Sequence, residues 1–288
     1  MPLYSHSKIS TFEQCAFKFK LRYIDKVIPE IEKTIEAHLG KSVHEALEWL
    51  YNIMKEAKRT PSLDETIIQY TEAWQKEFSN ELTIVKKELT HKDYFNKGVQ
   101  FIIGYYTQHY PFKEKTIECE KKIIISLDEE GKYKIQGFID RLAQNLETGE
   151  IEIHDYKTAN SLPTKEKIEN DRQLALYSIA IKEEFGNKAV CLIWHYLAHD
   201  TKICSRRTDE QLSKLKKETL EIIKKIESTS FFPTNKGILC NWCEYKNLCP
   251  EFNSLSDFKK EVQTTLEQLN KIKEKDKTEI IEEIEKYV

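Results

Sequence analysis

Residues 115–158, "KTIECEKKIIISLDEEGKYKIQGFIDRLAQNLETGEIEIHDYKT", contain the strongest strand pattern in the chain. Their apolar residues fall into three runs of strand length. The runs are separated by "DEEGK" and "LETGE", which have the composition of turns. The sequence therefore predicts a three-stranded antiparallel meander in the middle of the chain.

The segments around this meander have mostly helical patterns. The predicted elements are a helix over 8–24, three amphipathic helices between 41 and 110, a helix over 165–185, a strand over 189–198, a helix over 208–228 and a helical tail from about 256 to the end. This order is not a regular βαβ series. It indicates an α/β (α+β) fold with a mixed central sheet flanked by helices.

Composition limits the class of protein. The chain has 288 residues, 32% of them charged, and a net charge of −3. It contains no apolar run of about 18 residues, which a membrane span would need, and "MPLYSHSKIS" does not read as a secretory signal. We expect a cytoplasmic, intracellular protein without disulfides or membrane contact. The net charge argues against a uniformly basic nucleic-acid binder but leaves a local basic groove open.

The cysteines indicate a metal centre. Cys240, Cys243 and Cys249 form a C-x2-C-x5-C pattern in a loop, and Cys15 is the natural candidate for a fourth ligand. Four thiolates suit either zinc or an iron–sulfur cluster, and the spacing does not choose between them. The other three cysteines, Cys119, Cys191 and Cys204, are expected to be buried or incidental.

The meander carries a second set of reactive residues. Asp140 is predicted at the end of the second strand, and Asp155 and Lys157, two residues apart on the third strand, share one face. Adjacent antiparallel strands would bring the two aspartates within about 5–8 Å. Carboxylates this close favour a hard cation such as Mg²⁺ or Mn²⁺, and a lysine beside such a metal suits phosphodiester hydrolysis. Taken alone, Asp155 and Lys157 would more often form a surface ion pair.

Together, "GKSVHEALE", "GFIDRL", "IHDYKT" and "QLALYSIA" resemble the motifs of the PD-(D/E)XK nuclease superfamily. Within that superfamily they resemble the RecB-like exonucleases, which include CRISPR-adaptation nucleases. The resemblance implies that His44, Asp140, Asp155 and the backbone carbonyl of Tyr156 bind Mg²⁺ or Mn²⁺. It implies catalytic roles for Asp140, Asp155, Lys157, Gln173 and Tyr177. The proline that names the superfamily is replaced by Ile139.

"STFEQCAFKFK" and "CNWCEYKNLC" resemble the cysteine motifs of the iron–sulfur members of this family. The resemblance implies a [4Fe–4S] cluster held by Cys15, Cys240, Cys243 and Cys249, with structural Zn²⁺ as the alternative. It implies one restriction-endonuclease-like nuclease domain over 1–288. Its segments are an N-terminal segment with the cluster cysteine (1–40), a helical insertion (41–115), the core sheet and helix (116–206), a helix and cysteine loop (207–253) and a helical tail (254–288).

The function implied by the resemblance is a metal-dependent DNA exonuclease that acts on single-stranded DNA or free ends. Repair, recombination and CRISPR adaptation, with their protein partners, are the candidate pathways. The alternative is a catalytically silent DNA-binding or scaffold subunit.

Other residues leave two interpretations open. Glu118 or Glu120 lies near the metal or is ordinary strand-surface charge. Arg141 contacts phosphate or is simply solvated. The aromatic residues of the inserted helices, among them Tyr51, Trp74 and Tyr105, pack in the core, as their spacing favours, or stack on single-stranded bases.

Overall fold

The computed structural model describes residues 3–29, 34–80, 82–84, 86, 88–186 and 188–252. The chain divides into two compact units. One comprises Met1–Glu13 with Lys33–Ser230, and the other comprises Gln14–Glu32 with Phe231–Val288. The predicted helical tail, 254–288, lies outside the described residues.

The larger unit is built on a six-stranded mixed sheet. Its strands are β1 Leu3–Ser5, β2 Lys115–Ser126, β3 Lys134–Gln144, β4 Ile151–Lys157, β5 Val190–Tyr196 and β6 Thr201–Ser205. The predicted meander is present: β3 pairs antiparallel with both β2 and β4. β5 runs parallel to β4, and β6 runs antiparallel to β5. The predicted mixed sheet with flanking helices is therefore confirmed.

The two edges of β3 are used differently. β2 pairs along almost the whole strand, whereas the opposite edge is shared by two strands. β1 runs parallel to β3 and pairs with Lys134–Gln136, and β4 runs antiparallel and pairs with Arg141–Gln144. In the described sheet, residues 137–140 of β3 therefore have no strand partner on this edge. This leaves a gap in the sheet between the carboxyl ends of β1 and β4. Asp140 lies in this gap and not at the end of its strand as predicted, because β3 continues to Gln144.

Three long helices follow one another between the first strand and the meander. They are α3 Ile35–Ala57, α4 Leu63–Lys76 and α5 His91–His109. The side chains of Thr34, Ser62 and Thr90 cap their first turns by accepting backbone N–H bonds, which satisfies donors that a helix leaves free. Tyr51 and Tyr105 are buried where these helices pack. The favoured interpretation, core packing, is therefore confirmed for these two aromatic residues.

The remaining helices of this unit are α1 His6–Gln14, α6 Lys165–Glu169, α7 Gln173–Glu184 and α8 Asp209–Ser228. α7 packs against β2, β4 and β5. Its first turn is capped by Asp171, whose Oδ1 accepts the backbone N–H of Leu174 at 3.1 Å. This packing brings the first turns of α7 to the gap in the sheet.

The smaller unit joins a segment near the start of the chain to the cysteine loop. It contains α2 Ala16–Phe19, a π-helical turn over Lys20–Ile24 and 3-10 turns over Ile238–Trp242 and Lys246–Leu248. The N–H of Phe17 donates to the carbonyl of Pro233 at 3.0 Å, and Lys18 pairs with Glu244 at 2.8 Å.

The predicted helix over 8–24 is interrupted at Cys15. Its backbone is extended (φ −161°, ψ 111°), and its sulfur accepts the N–H of Lys18 at 3.5 Å. Cys15 therefore caps a new helix instead of continuing the first one. Among the described helices, none combines the length and the apolar character that crossing a membrane requires.

Candidate active site

Asp140 holds the two central strands together through its side chain. Its Oδ2 accepts the backbone N–H of Tyr156 at 2.8 Å. The main-chain ladder of β3 and β4 ends at the pair Arg141–His154, so the carboxylate takes over the hydrogen bonding where the ladder stops. The same register puts Asp140 in line with Asp155 across the two strands.

His44 reaches this point from α3. Its Nε2 lies 2.8 Å from the carbonyl oxygen of Tyr156, and because a carbonyl can only accept, Nε2 carries the proton. In the neutral ring Nδ1 then has a lone pair, and it lies 3.5 Å from Asp140 Oδ2. Two lone pairs that face each other form a place for a cation. The Tyr156 carbonyl, predicted as a metal ligand, accepts the His44 hydrogen bond.

Glu120 completes a group of three potential ligands. The flanking pairs Cys119–Arg141 and Lys121–Ile139 put it opposite Asp140 on β2. Its backbone has a positive φ of 46°, an uncommon conformation outside glycine. Ligand atoms of His44, Glu120 and Asp140 all lie within 4.8 Å of one another. Of the two glutamates considered from sequence, Glu120 lies near the centre, whereas Glu118 pairs with Lys121 at 3.0 Å.

The electrostatics of this group favour a bound cation. Burial, together with the nearby Asp155 carboxylate, raises the pKa of Asp140 to about 6, although His44 opposes the shift. Burial and the charges of Asp140 and Glu48 raise the pKa of Glu120 to about 7. Both carboxyls thus resist ionising, and a divalent cation would favour the charged form of each. Two carboxylates and one imidazole are a donor set that Mg²⁺ or Mn²⁺ accepts.

Asp155 and Lys157 share a face of β4, as their spacing predicts, and they form an ion pair. The Lys157 ammonium donates to Asp155 Oδ1 at 2.9 Å and lies 2.7 Å from Oδ2. Asp155 is 4% exposed, whereas about a third of the Lys157 side chain reaches solvent. Burial lowers the pKa of Lys157, but the carboxylates of Asp155 and Asp140 outweigh it and the net shift is upward. The lysine is therefore a fixed positive charge beside the three potential ligands.

Gln173 and Tyr177 lie one turn apart on α7, and both line one cavity beside β3. The ring of Tyr177 packs directly on the backbone of Gly137. A Cβ atom added at position 137 would lie much less than 3.0 Å from atoms of the Tyr177 side chain. Real Cβ atoms essentially never come that close to a neighbouring atom. Gly137 is thus required for the ring to close on β3, three residues before Asp140.

Arg141 is neither a phosphate contact nor a solvated charge. It is fully buried, its guanidinium lies 4.0 Å from the ring centre of Tyr51, and Nη2 donates to His154 Nδ1 at 3.0 Å. Burial and the Arg141 charge hold the pKa of His154 well below its usual value. The neutral ring donates from Nε2 to Glu152 at 3.2 Å. This polar network lies one residue along the chain from each of Asp140 and Asp155.

The four cysteines singled out from sequence meet in the smaller unit. Cys15, Cys240, Cys243 and Cys249 line one cavity of about 280 Å³. The N–H of Gly237 donates to Cys240 Sγ at 3.3 Å. Burial raises the pKa values of the Cys243 and Cys249 thiols, so a metal would have to supply the positive charge that keeps them as thiolates.

Comparison with known proteins identifies the class that this fold and site define. The family model of the PD-(D/E)XK nuclease superfamily matches residues 4–250, and the chain belongs to this superfamily. A solved structure described as "Crystal structure of SSO0001" is similar at 15% identity and a TM-score of 0.35, covering 83% of this chain and 96% of that one. A TM-score this low supports no conclusion about function. No curated protein matches the sequence.

Proposed function

We propose that this metal-dependent nuclease is a DNA exonuclease that acts on single strands or open ends. Membership of the superfamily supports phosphodiester hydrolysis with a metal. The observation that carries the proposal is the convergence of His44, Glu120 and Asp140 within 4.8 Å, beside the buried pair of Asp155 and Lys157.

In this proposal His44, Glu120 and Asp140 hold Mg²⁺ or Mn²⁺, with Asp155 and the Tyr156 carbonyl close by. When bound, the cation acidifies a water molecule and neutralises phosphate charge. His44 keeps Nδ1 available as a ligand because its Nε2 proton is held by the Tyr156 carbonyl. The Tyr156 N–H in turn orients the Asp140 carboxylate.

Lys157 supplies a positive charge for the pentacovalent phosphate. Its ammonium is kept in place by both oxygens of Asp155, so little reorganisation is needed as negative charge develops. In this proposal Gln173 and Tyr177 offer hydrogen bonds to a water molecule or a phosphate oxygen. Removing a charge in this role typically costs a factor of about 10²–10³ in rate.

The test is cleavage of end-labelled linear single-stranded DNA by the purified full chain with Mn²⁺, beside a circular single strand. We expect progressive shortening of the linear strand, an intact circle, and a loss of at least about 100-fold in Lys157→Ala. Lys182→Ala is the matched control, because Lys182 also pairs with an aspartate, Asp209, at the far end of α7. Equal degradation by the wild type and Lys157→Ala would refute the catalytic role. DNA binding without cleavage would identify a silent subunit, and cleavage of the circle would identify an endonuclease.

We further propose a [4Fe–4S] cluster in the smaller unit, held by Cys15, Cys240, Cys243 and Cys249. The supporting observation is that these four cysteines line the same cavity of about 280 Å³. Anaerobically purified protein should be brown and should contain iron and sulfide, and Cys240→Ala should lose both. Cys204→Ala is the control, since this exposed cysteine lies on β6. Colourless protein that contains one zinc per chain would show that the four cysteines hold Zn²⁺ and not a cluster.

The pathway follows from the family resemblance only. Repair or recombination of DNA and CRISPR adaptation, each with its own protein partners, are the proposed settings.

A further inference from the structure

The gap in the sheet is approached from two sides by the ends of two strands. β4 ends at one side with Asp155 and Lys157. β1 ends at the other side with Ser5, followed by His6 and Ser7 at the start of α1. Because β1 runs parallel and β4 antiparallel to β3, their carboxyl ends face each other along the same edge. The tripeptide Ser5–Ser7 thus faces the catalytic pair across the gap.

A cavity of about 360 Å³ opens beside the tripeptide. It is lined by Ser5, His6, Ser7, Gln136, Gly137, Phe138, Gln173 and Tyr177. The volume is in the range of small-molecule pockets, which combine a few polar groups with apolar surface. Hydroxyl, imidazole, amide and phenol groups supply hydrogen bonds here, and Phe138, half-exposed at 50%, supplies an aromatic face.

His6 is the polar group whose position is hardest to explain by folding alone. Its Nε2 lies 3.2 Å from the Ser10 hydroxyl. Its Nδ1 is buried and, in the described part of the chain, has no hydrogen-bond partner. A buried ring nitrogen without a partner costs free energy, so the fold holds His6 beside the cavity at a cost to stability.

The charges of the proposed catalytic pair act on the pKa of His6. Burial lowers the pKa of His6 to about 4, with Arg172 and Lys157 lowering it further and Glu13 and Asp155 opposing them. The ring is therefore neutral near pH 7 and offers one donor and one acceptor. Such a ring recognises a sugar hydroxyl or a phosphate oxygen without attracting anions at a distance.

We propose that the cavity is a subsite for the terminal nucleotide of the DNA strand. Ser5, His6 and Ser7, with Gln173 and Tyr177, contact its sugar and phosphate, and Phe138 stacks on its base. The ligand class is a 2′-deoxynucleoside monophosphate, which is also the product that an exonuclease releases. The subsite rests on the proposed function, since it deepens the account of the same centre.

The direct test is binding of deoxyadenosine monophosphate to the full chain without divalent metal, measured by calorimetry. Stacking of one base on an aromatic ring is worth a factor of roughly 5–150 in affinity. We expect Phe138→Ala and His6→Asn each to weaken binding by about tenfold or more. Ile124→Ala is the matched control, because Ile124 is 53% exposed on the adjacent strand and does not line the cavity. It should bind like the wild type. Deoxyadenosine, which lacks the phosphate, should bind more weakly than the monophosphate.

The outcomes separate the subsite from the nuclease proposal. If the wild type does not bind the monophosphate, or if Phe138→Ala and His6→Asn bind it as the wild type does, the subsite is wrong even where linear DNA is degraded. If binding falls in both variants while no DNA is cleaved, the subsite stands and the exonuclease proposal fails. Thermal unfolding of each variant checks that the fold is kept. Phe138 is exposed enough for its removal to leave the core intact.

Discussion

The contact between Gly137 and Tyr177 gives the sharpest prediction about the architecture of the site. We consider Gly137→Ala, which adds one methyl group to the middle of β3. In the structure this methyl group would overlap three atoms of the Tyr177 side chain, Cε1, Cζ and Oη. Tyr177 is only 5% exposed, so its ring has little free space to move into. The ring or α7 must therefore shift.

The magnitude follows from the kind of overlap. Forcing a methyl group into a packed core typically costs about 1–3 kcal/mol, and we expect about 2 kcal/mol here. Tyr177→Ala removes a buried ring and should cost about 3–5 kcal/mol, as for other large-to-small changes. Because the ring is also what the methyl group meets, the double variant should be no less stable than Tyr177→Ala alone. The coupling free energy between the two sites is then about 2 kcal/mol in size.

The assay is urea unfolding of the four proteins of this double-mutant cycle, followed by circular dichroism. Tyr177→Phe is the matched control. It keeps the two ring carbons that cause the overlap, so Gly137→Ala should remain costly in its presence. Additive costs of Gly137→Ala and Tyr177→Ala would refute the reasoning. A Gly137→Ala substitution that costs nothing in the Tyr177→Phe background would contradict it as well, since the ring carbons would then not be the obstacle.

Three further predictions concern the proposed metal site and the buried network. Arg141→Met should lower the free energy of unfolding by about 3–5 kcal/mol, because it breaks a buried charged network. Substitution of the exposed Arg206 by Met is the control and should cost less than about 1 kcal/mol. A loss below about 1 kcal/mol for Arg141→Met, measured by urea unfolding, would contradict this prediction. Glu120→Gln should weaken Mn²⁺ binding by at least about tenfold in a paramagnetic-resonance titration, and Glu118→Gln should not; equal affinities in both would remove Glu120 from the site. Chelation of divalent metal should abolish DNA cleavage, and added Mn²⁺ should restore it; cleavage that persists after chelation would contradict a metal-dependent centre.

Parts of the site follow from residue spacing. The two-residue period of a strand predicts that Asp155 and Lys157 share a face, and their contact distances of 2.7 and 2.9 Å agree with this. Turn composition likewise predicts the meander. These features depend on local sequence, which is why they can be read without the structure.

Other parts depend on packing between distant segments. The position of Glu120 opposite Asp140 depends on the register of β2, which shifts between Thr116 and Glu118, and an irregular strand has no reliable signature in sequence. Arg141 reads as a surface charge because arginine is mostly exposed. Its burial requires Tyr51 and His154, which come from other elements. Cys15 has the spacing of a helical residue and is nevertheless extended.

Asp140 is proposed to belong to a metal centre that hydrolyses DNA. The most direct measurement is the rate at which the full chain degrades end-labelled single-stranded DNA with saturating Mn²⁺, compared between the wild type and Asp140→Asn. Asparagine can still accept the Tyr156 N–H, so the strand junction is kept while the negative charge is lost. We expect cleavage by the wild type and a fall of at least about 100-fold in the variant. Equal rates in the two proteins would contradict it.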